Sequence, residues 1–323
     1  MLQYLIILLD DMSTSYCHYS SANQKRLISL NDLRRGIRFS MLENLMIQFV
    51  YPDYELPQKY RDEIDTIDHN KIVSSQSLDK TVLEESDVIV LHDWTILQNT
   101  DFGEGKSYVL RTDKQGLFEK YSSLKVILGK VDRLNVVIKD VETFTDRDFE
   151  SYKMVLKELS TEIEKLYVAG KSPQLNLLTD RMMLSQMNNC GAGESNITLA
   201  PNGKFYVCPA FYYEDEADSV GDLDKGLDIK NKQLYRLDHA PICRHCDAWQ
   251  CKRCIWLNRK TTLEVNTPSH EQCVIAHIER SSSKTLLENI RQHGSFLPDA
   301  EIKEIDYLDP FDKREEWERG KRQ

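Results

Sequence analysis

Seven cysteines between positions 190 and 273, four of them inside "ICRHCDAWQCKRCIW" (242–256), constrain this chain more than any other feature. Only one further cysteine, Cys17, occurs in the 323 residues. A chain of this length buries an ample core without covalent staples, so the cluster needs another purpose. Cys243 with Cys246, and Cys251 with Cys254, form two CxxC units. Such a unit lets two thiolates from one tight turn meet the same metal centre. Cys190, Cys208 and Cys273 complete the set of candidate metal ligands. Seven thiolates exceed one four-sulfur site and fall one short of two. If there are two sites, one lacks a cysteine ligand and is completed by His239, His245, His270 or His277, by Cys17, or is left open for substrate. Tetrahedral sulfur sites hold zinc or an iron–sulfur cluster, and spacing alone does not choose between them.

Metal ligation presumes reduced thiols, and the remaining sequence is consistent with a cytoplasmic protein. The start, "MLQYLIILLDDM", has a short apolar run with no basic residue before it and two aspartates at its end. That pattern reads as a buried strand rather than a signal peptide or membrane span. In the cytoplasm, clustered cysteines are metal ligands more often than disulfides. A formal charge of −10 argues against a nucleic-acid surface, which concentrates Lys and Arg on one face.

Up to about residue 185, short apolar runs alternate with amphipathic segments. Strands are expected at 4–9, 46–51, 87–91, 124–128, 134–138 and 175–178, their nearly continuous apolar character suiting strands covered on both faces. Helices are expected from Asn31 to Leu45 and after Thr145 or Asp146, where Phe149, Tyr152, Leu156, Leu159, Ile163 and Leu166 recur at helical spacing. This alternation implies an α/β fold with a parallel sheet or partial barrel. Asp10, Asp11, Asp93, Asp140 and Asp180 lie at strand ends, where they either cap the following turns or rim a site. The expected divisions are an α/β barrel-like domain over 1–185, a cysteine-rich metal domain over 186–285, and a C-terminal helix with a charged tail over 286–323.

Within the cysteine-rich part, "NITLA" and "KFYVC" are joined by "PNG", a hairpin signal. The reversal brings Cys208 back toward Cys190, and the turn by itself accounts for Gly203. The order Cys190, Gly203, Cys208, then Cys243, Cys246, Cys251, Cys254, then Cys273, together with "CGAGESNITLAPNGKFYVCP", resembles the SPASM domain, the seven-cysteine extension of radical SAM enzymes that modify peptides and sulfatases. Two gaps are each one residue shorter than the family pattern, between Cys246 and Cys251 and between Cys251 and Cys254. The resemblance implies one or two 4Fe–4S clusters, with zinc the alternative. It implies that Cys243, Cys246, Cys251 and Cys273 hold one cluster, and that Cys190, Cys208 and Cys254 supply three ligands to another.

A radical SAM enzyme also needs a CxxxCxxC loop after its first strand, whose three thiolates leave one iron open to S-adenosylmethionine. Here "DDMSTSYCHYS" follows that strand and contains Cys17 alone. Cys17 is open to three readings: nucleophile, eighth ligand or inert buried thiol. A degenerate radical SAM barrel followed by a SPASM-like domain resembles pseudo-radical-SAM proteins, and "LIILLDDMSTSYCHY" resembles the CXXX repeat peptide maturase group. The resemblance implies maturation of a ribosomally made, cysteine-rich precursor peptide beside a partner modification enzyme, without cleavage of S-adenosylmethionine by this chain. The alternative is a non-catalytic zinc module that recognises a peptide or acts as a scaffold.

Overall fold

The computed structural model describes residues 2–98, 100, 102–183, 190–246, 248 and 254–302. The chain divides into two compact units, one spanning 1–140 and 190–236, the other 141–189 and 237–323. The first unit begins with β1 (Tyr4–Leu8), α1 (Leu30–Glu43), β2 (Met46–Val50), α2 (Gln58–Ile64), β3 (His69–Ser74), α3 (Lys80–Glu84) and β4 (Val88–Leu91). It continues with β5 (Ser107–Thr112), α4 (Lys114–Lys120), α5 (Ser122–Leu128) and β6 (Arg133–Ile138). The second unit holds α6 (Asp146–Val168), β7 (Gln174–Leu175) and α7 (Asp180–Met183). The chain then returns to the first unit with β8 (Asn196–Leu199), β9 (Phe205–Tyr206), α8 (Pro209–Glu214), β10 (Gly221–Asp222) and β11 (Gly226–Leu227). The second unit closes with α9 (Ile255–Thr262) and α10 (His270–Arg291).

In the first unit the sheet order is β6-β5-β4-β3-β2-β1-β8-β9, parallel throughout except for the antiparallel β8–β9 pair. The expected mixed α/β fold is thus present, built on a mainly parallel sheet. Side chains two apart share a face, so Leu5 and Ile7, Ile47 and Phe49, and Ile197 and Leu199 enter one core from three neighbouring strands. Helix α1 adds Leu33 and Ile37 to that core, and α2 adds Tyr60 and Ile64. Ser29 starts α1 by accepting a hydrogen bond from the Asp32 backbone N–H, and Asn44 stops it in the left-handed conformation at φ 55°.

Several expected elements come out differently. The run 124–128 is helix, not strand: Leu124, Ile127 and Leu128 are buried while Val126 is exposed, a helical period hidden in an apolar run too short to reveal it. Strands β3 and β5 lie in segments where polar residues interrupt the apolar run, and hydrogen-bonded neighbours on both sides hold them extended. Of 175–178 only Leu175 is strand, since the Leu175 N–H binds Thr179 Oγ1 at 2.8 Å and closes a turn.

Within the second unit, the long helix α6 starts with the expected Thr145 cap, made reciprocal by Asp148. Helix α10 runs 22 residues from a Ser269–Gln272 capping box, starting well upstream of the C-terminal helix expected from 286. Its interior Glu279 is fully buried, because Arg181 pairs with it at 2.7 Å and the Tyr152 hydroxyl donates to it at 2.6 Å. A carboxylate with two such partners is tolerated inside. The charged tail from 303 onward lies outside the described residues. Among the described residues no helix is long and apolar enough to cross a membrane.

Candidate metal and peptide site

Parallel strands gather their C-terminal ends on one edge of the sheet, where α/β folds place their sites. On that edge the loop after β1 is fastened from several directions. Asp10 accepts from the Met12 N–H at 2.8 Å and from the Tyr54 hydroxyl at 2.9 Å. Asp11 pairs with Arg26 at 2.9 Å and accepts from the Tyr212 hydroxyl. Farther along the edge, Asp93 accepts from the Thr95 N–H at 2.8 Å and Asp140 from the Lys114 N–H at 2.9 Å. These four carboxylates therefore brace turns and loops. Asp180 is buried as the first residue of α7 rather than the residue that caps it.

Behind the loop, Arg111 on β5 donates from Nε to the Cys17 carbonyl at 2.8 Å and from Nη2 to the Tyr19 carbonyl. Its Nη1 lies 3.3 Å from His92 Nδ1, while His92 Nε2 lies 2.8 Å from Thr14 Oγ1. Burial, then the positive charges of Arg111 and Lys139, push the His92 pKa down to about 4. The imidazole is neutral at pH 7. Because a guanidinium only donates, Nδ1 accepts from Arg111 and Nε2 carries the proton toward Thr14. Neither Arg111 nor Thr14 is singled out by the sequence, since a lone Arg inside a strand carries no motif.

The expected hairpin is β8–β9, with Thr198 opposite Tyr206 and Leu199 opposite Phe205. Gly203 sits in its turn at φ +75°, a left-handed conformation that glycine adopts without strain. Cys208 follows β9 and leads into α8. Burial raises the Cys208 thiol pKa, and the nearby Cys190 and Cys17 raise it further. Tyr16 is raised by burial and then by Cys17, Cys208 and Cys190. Cys208 and Tyr16 thus lie within electrostatic reach of both Cys17 and Cys190. The tyrosine sheath supports this grouping, with Tyr19 stacked on Tyr213 of α8 at 5.3 Å between ring centres and Tyr16 edge-on to Tyr19 at 5.7 Å. A bound metal would replace such thiol protons, and the donors are of the right chemical kind, but among the described residues they do not already surround one point.

In the second unit, Cys243 begins a single 3-10 turn and its carbonyl accepts from the Cys246 N–H at 3.0 Å. Cys246 Sγ accepts from the Ala248 N–H at 3.3 Å and lies 3.8 Å from His277 Nε2. Cys273 and His277 stand one turn apart on α10, and Cys254 immediately precedes α9. Cys251 and Trp249 lie outside the described residues. The seven described cysteines are thiols, none joined in a disulfide. Among the described residues, no three Cys, His, Asp or Glu side chains already surround a single point as an ion's ligands would.

No protein-family model matches this sequence, and no curated protein does. Solved structures do resemble the fold. Native anSMEcpe with bound AdoMet superposes with a TM-score of 0.57 at 12% identity, covering 89% of this chain and 99% of that one. Native anSMEcpe with bound AdoMet and Cp18Cys peptide gives 0.57 at 12% identity, with coverages of 90% and 100%. The form with AdoMet and Kp18Cys peptide gives 0.55 at 11% identity, with coverages of 90% and 99%. The chain therefore has a radical SAM-like α/β fold.

Proposed function

We propose that this protein takes part in maturing a ribosomally made, cysteine-repeat peptide, as a SPASM-like iron–sulfur component that does not itself cleave S-adenosylmethionine. One observation carries the reading. On a radical SAM-like fold, the loop after β1 holds Cys17 alone, and Cys17 is grouped with Cys190 and Cys208. A CxxxCxxC loop has to offer three thiolates there. This one offers one, and Arg111 ties its backbone down. The cysteines of the SPASM-like region would hold one or two 4Fe–4S clusters, which supply electron relay or an iron able to bind a peptide thiolate. Relatives of the fold have been crystallised with peptides, which supports peptide binding by analogy.

The test begins with protein purified without oxygen, on which iron, sulfide and zinc are counted. Calorimetric titration with a synthetic CXXX-repeat peptide follows. Iron and sulfide near four per chain or more, with saturable binding that a Cys-to-Ser peptide lacks, support the reading. Absence of sulfide, or equal affinity for the two peptides, overturns it.

A further inference from the structure

The second unit contains a spacing that the all-cysteine assignment does not explain. Cys246 Sγ and His277 Nε2 are 3.8 Å apart. Zinc binds thiolate at about 2.3 Å and imidazole at about 2.0–2.1 Å, so two such ligands at a tetrahedral angle lie roughly 3.6 Å from each other. The observed gap is that of a sulfur–imidazole hydrogen bond, and it is close to the spacing of two ligands on one ion. Ligands of a 4Fe–4S cluster bind different irons and are held farther apart by the cluster between them.

Sequence and local structure extend the pair to four. Cys243 and Cys246 are the ends of one tight turn, and Cys273 and His277 lie on one face of α10 at i and i+4. The order is Cys-x2-Cys followed by Cys-x3-His, the ligand grammar of structural zinc sites. Each remaining cysteine is one turn from a residue of that pair, so closing the set on one point would take rotation of the Cys243 and Cys273 side chains. The Ala248 N–H at 3.3 Å from Cys246 Sγ already faces that sulfur as a thiolate's hydrogen-bond donor would.

We propose that Cys243, Cys246, Cys273 and His277 form a zinc site in the second unit, with His277 Nε2 as the fourth ligand in place of Cys251. Binding displaces three thiol protons to solvent, and three thiolates with one neutral imidazole leave the centre with a net charge of −1. Zinc has no redox chemistry, so this centre organises the fold around α10, and any cluster belongs to the other cysteines. The site stands apart from the peptide reading. Iron–sulfur and peptide binding can fail while zinc is found here, and the reverse holds equally.

The test uses the full chain from iron-supplemented cells, purified without oxygen so that zinc does not enter an emptied cluster site. One zinc per chain is expected in wild type and in Cys251→Ala. His277→Ala should lose at least tenfold in zinc occupancy, and His277→Cys should regain it. Cobalt(II) loaded into the wild-type chain gives a readout that needs no variant to fold, since the thiolate-to-cobalt absorption counts sulfur ligands. Three-thiolate intensity, rising in His277→Cys, supports the site. Four-thiolate intensity in wild type, zinc lost from Cys251→Ala but kept in His277→Ala, or no zinc in an iron-loaded protein overturns it.

Discussion

His92 shows how a neighbour's charge fixes a tautomer. Its ordinary pKa near 6.5 is moved down to about 4 by burial and by Arg111 and Lys139. The unfolded chain therefore binds more protons at this position between pH 4 and 6.5 than the folded one. The slope of stability with pH is positive wherever the unfolded state binds more protons. Neutral His92 accordingly favours the fold above pH 6.5, and this contribution is lost as pH falls from 6.5 to 4. We expect the urea midpoint to drop over that window, and to drop less in His92→Gln, which keeps a polar group beside Thr14. Parallel profiles for the two proteins would remove His92 from the account. Sequence made the histidine visible at the end of β4. Its partner Arg111 was not visible, because a strand's C-terminal neighbour is known only once the sheet order is known.

The elements owe their positions to a few close approaches. Helix α1 lies so near the sheet at Gly36 that a Cβ there would stand 2.5 Å from Leu199 Cδ2 and 3.5 Å from Ile7 Cδ1. Leu199 is fully buried, so its side chain would have to shift within a filled core to make way. Alanine in an exposed helix would gain about 1 kcal/mol over glycine, but overpacking a filled core costs about 1–3 kcal/mol. The steric term wins, so Gly36→Ala should lower the urea midpoint with an unchanged m-value. A raised midpoint would show that α1 can back off from β8. The amphipathic stripes of α1 and α6 could be read from sequence because apolar residues recur on one face. The extent of α10 could not. Glu279 and Arg280 look like surface residues in the sequence, and only the partners Arg181 and Tyr152 make the interior tolerable for Glu279.

At the scale of the molecule, the fold is like that of the anSMEcpe structures, and the loop after β1 carries one cysteine, Cys17. Incubation with S-adenosylmethionine and dithionite should therefore release no 5′-deoxyadenosine above a protein-free control, even with metal fully loaded. Release in proportion to iron content would show that the existing thiols suffice. The sequence alone determined the alternation of strand and helix, the cysteine count, the hairpin around Gly203 and the missing CxxxCxxC, since each is written in neighbouring residues or in a period. Tertiary structure decided that β8 pairs with β1, that 190–236 packs with the first 140 residues, and that Cys17 shares its surroundings with Cys190 and Cys208. It also brought His277 to 3.8 Å from Cys246. These outcomes depend on contacts between residues tens to hundreds of positions apart, and a local pattern carries no record of where the chain returns.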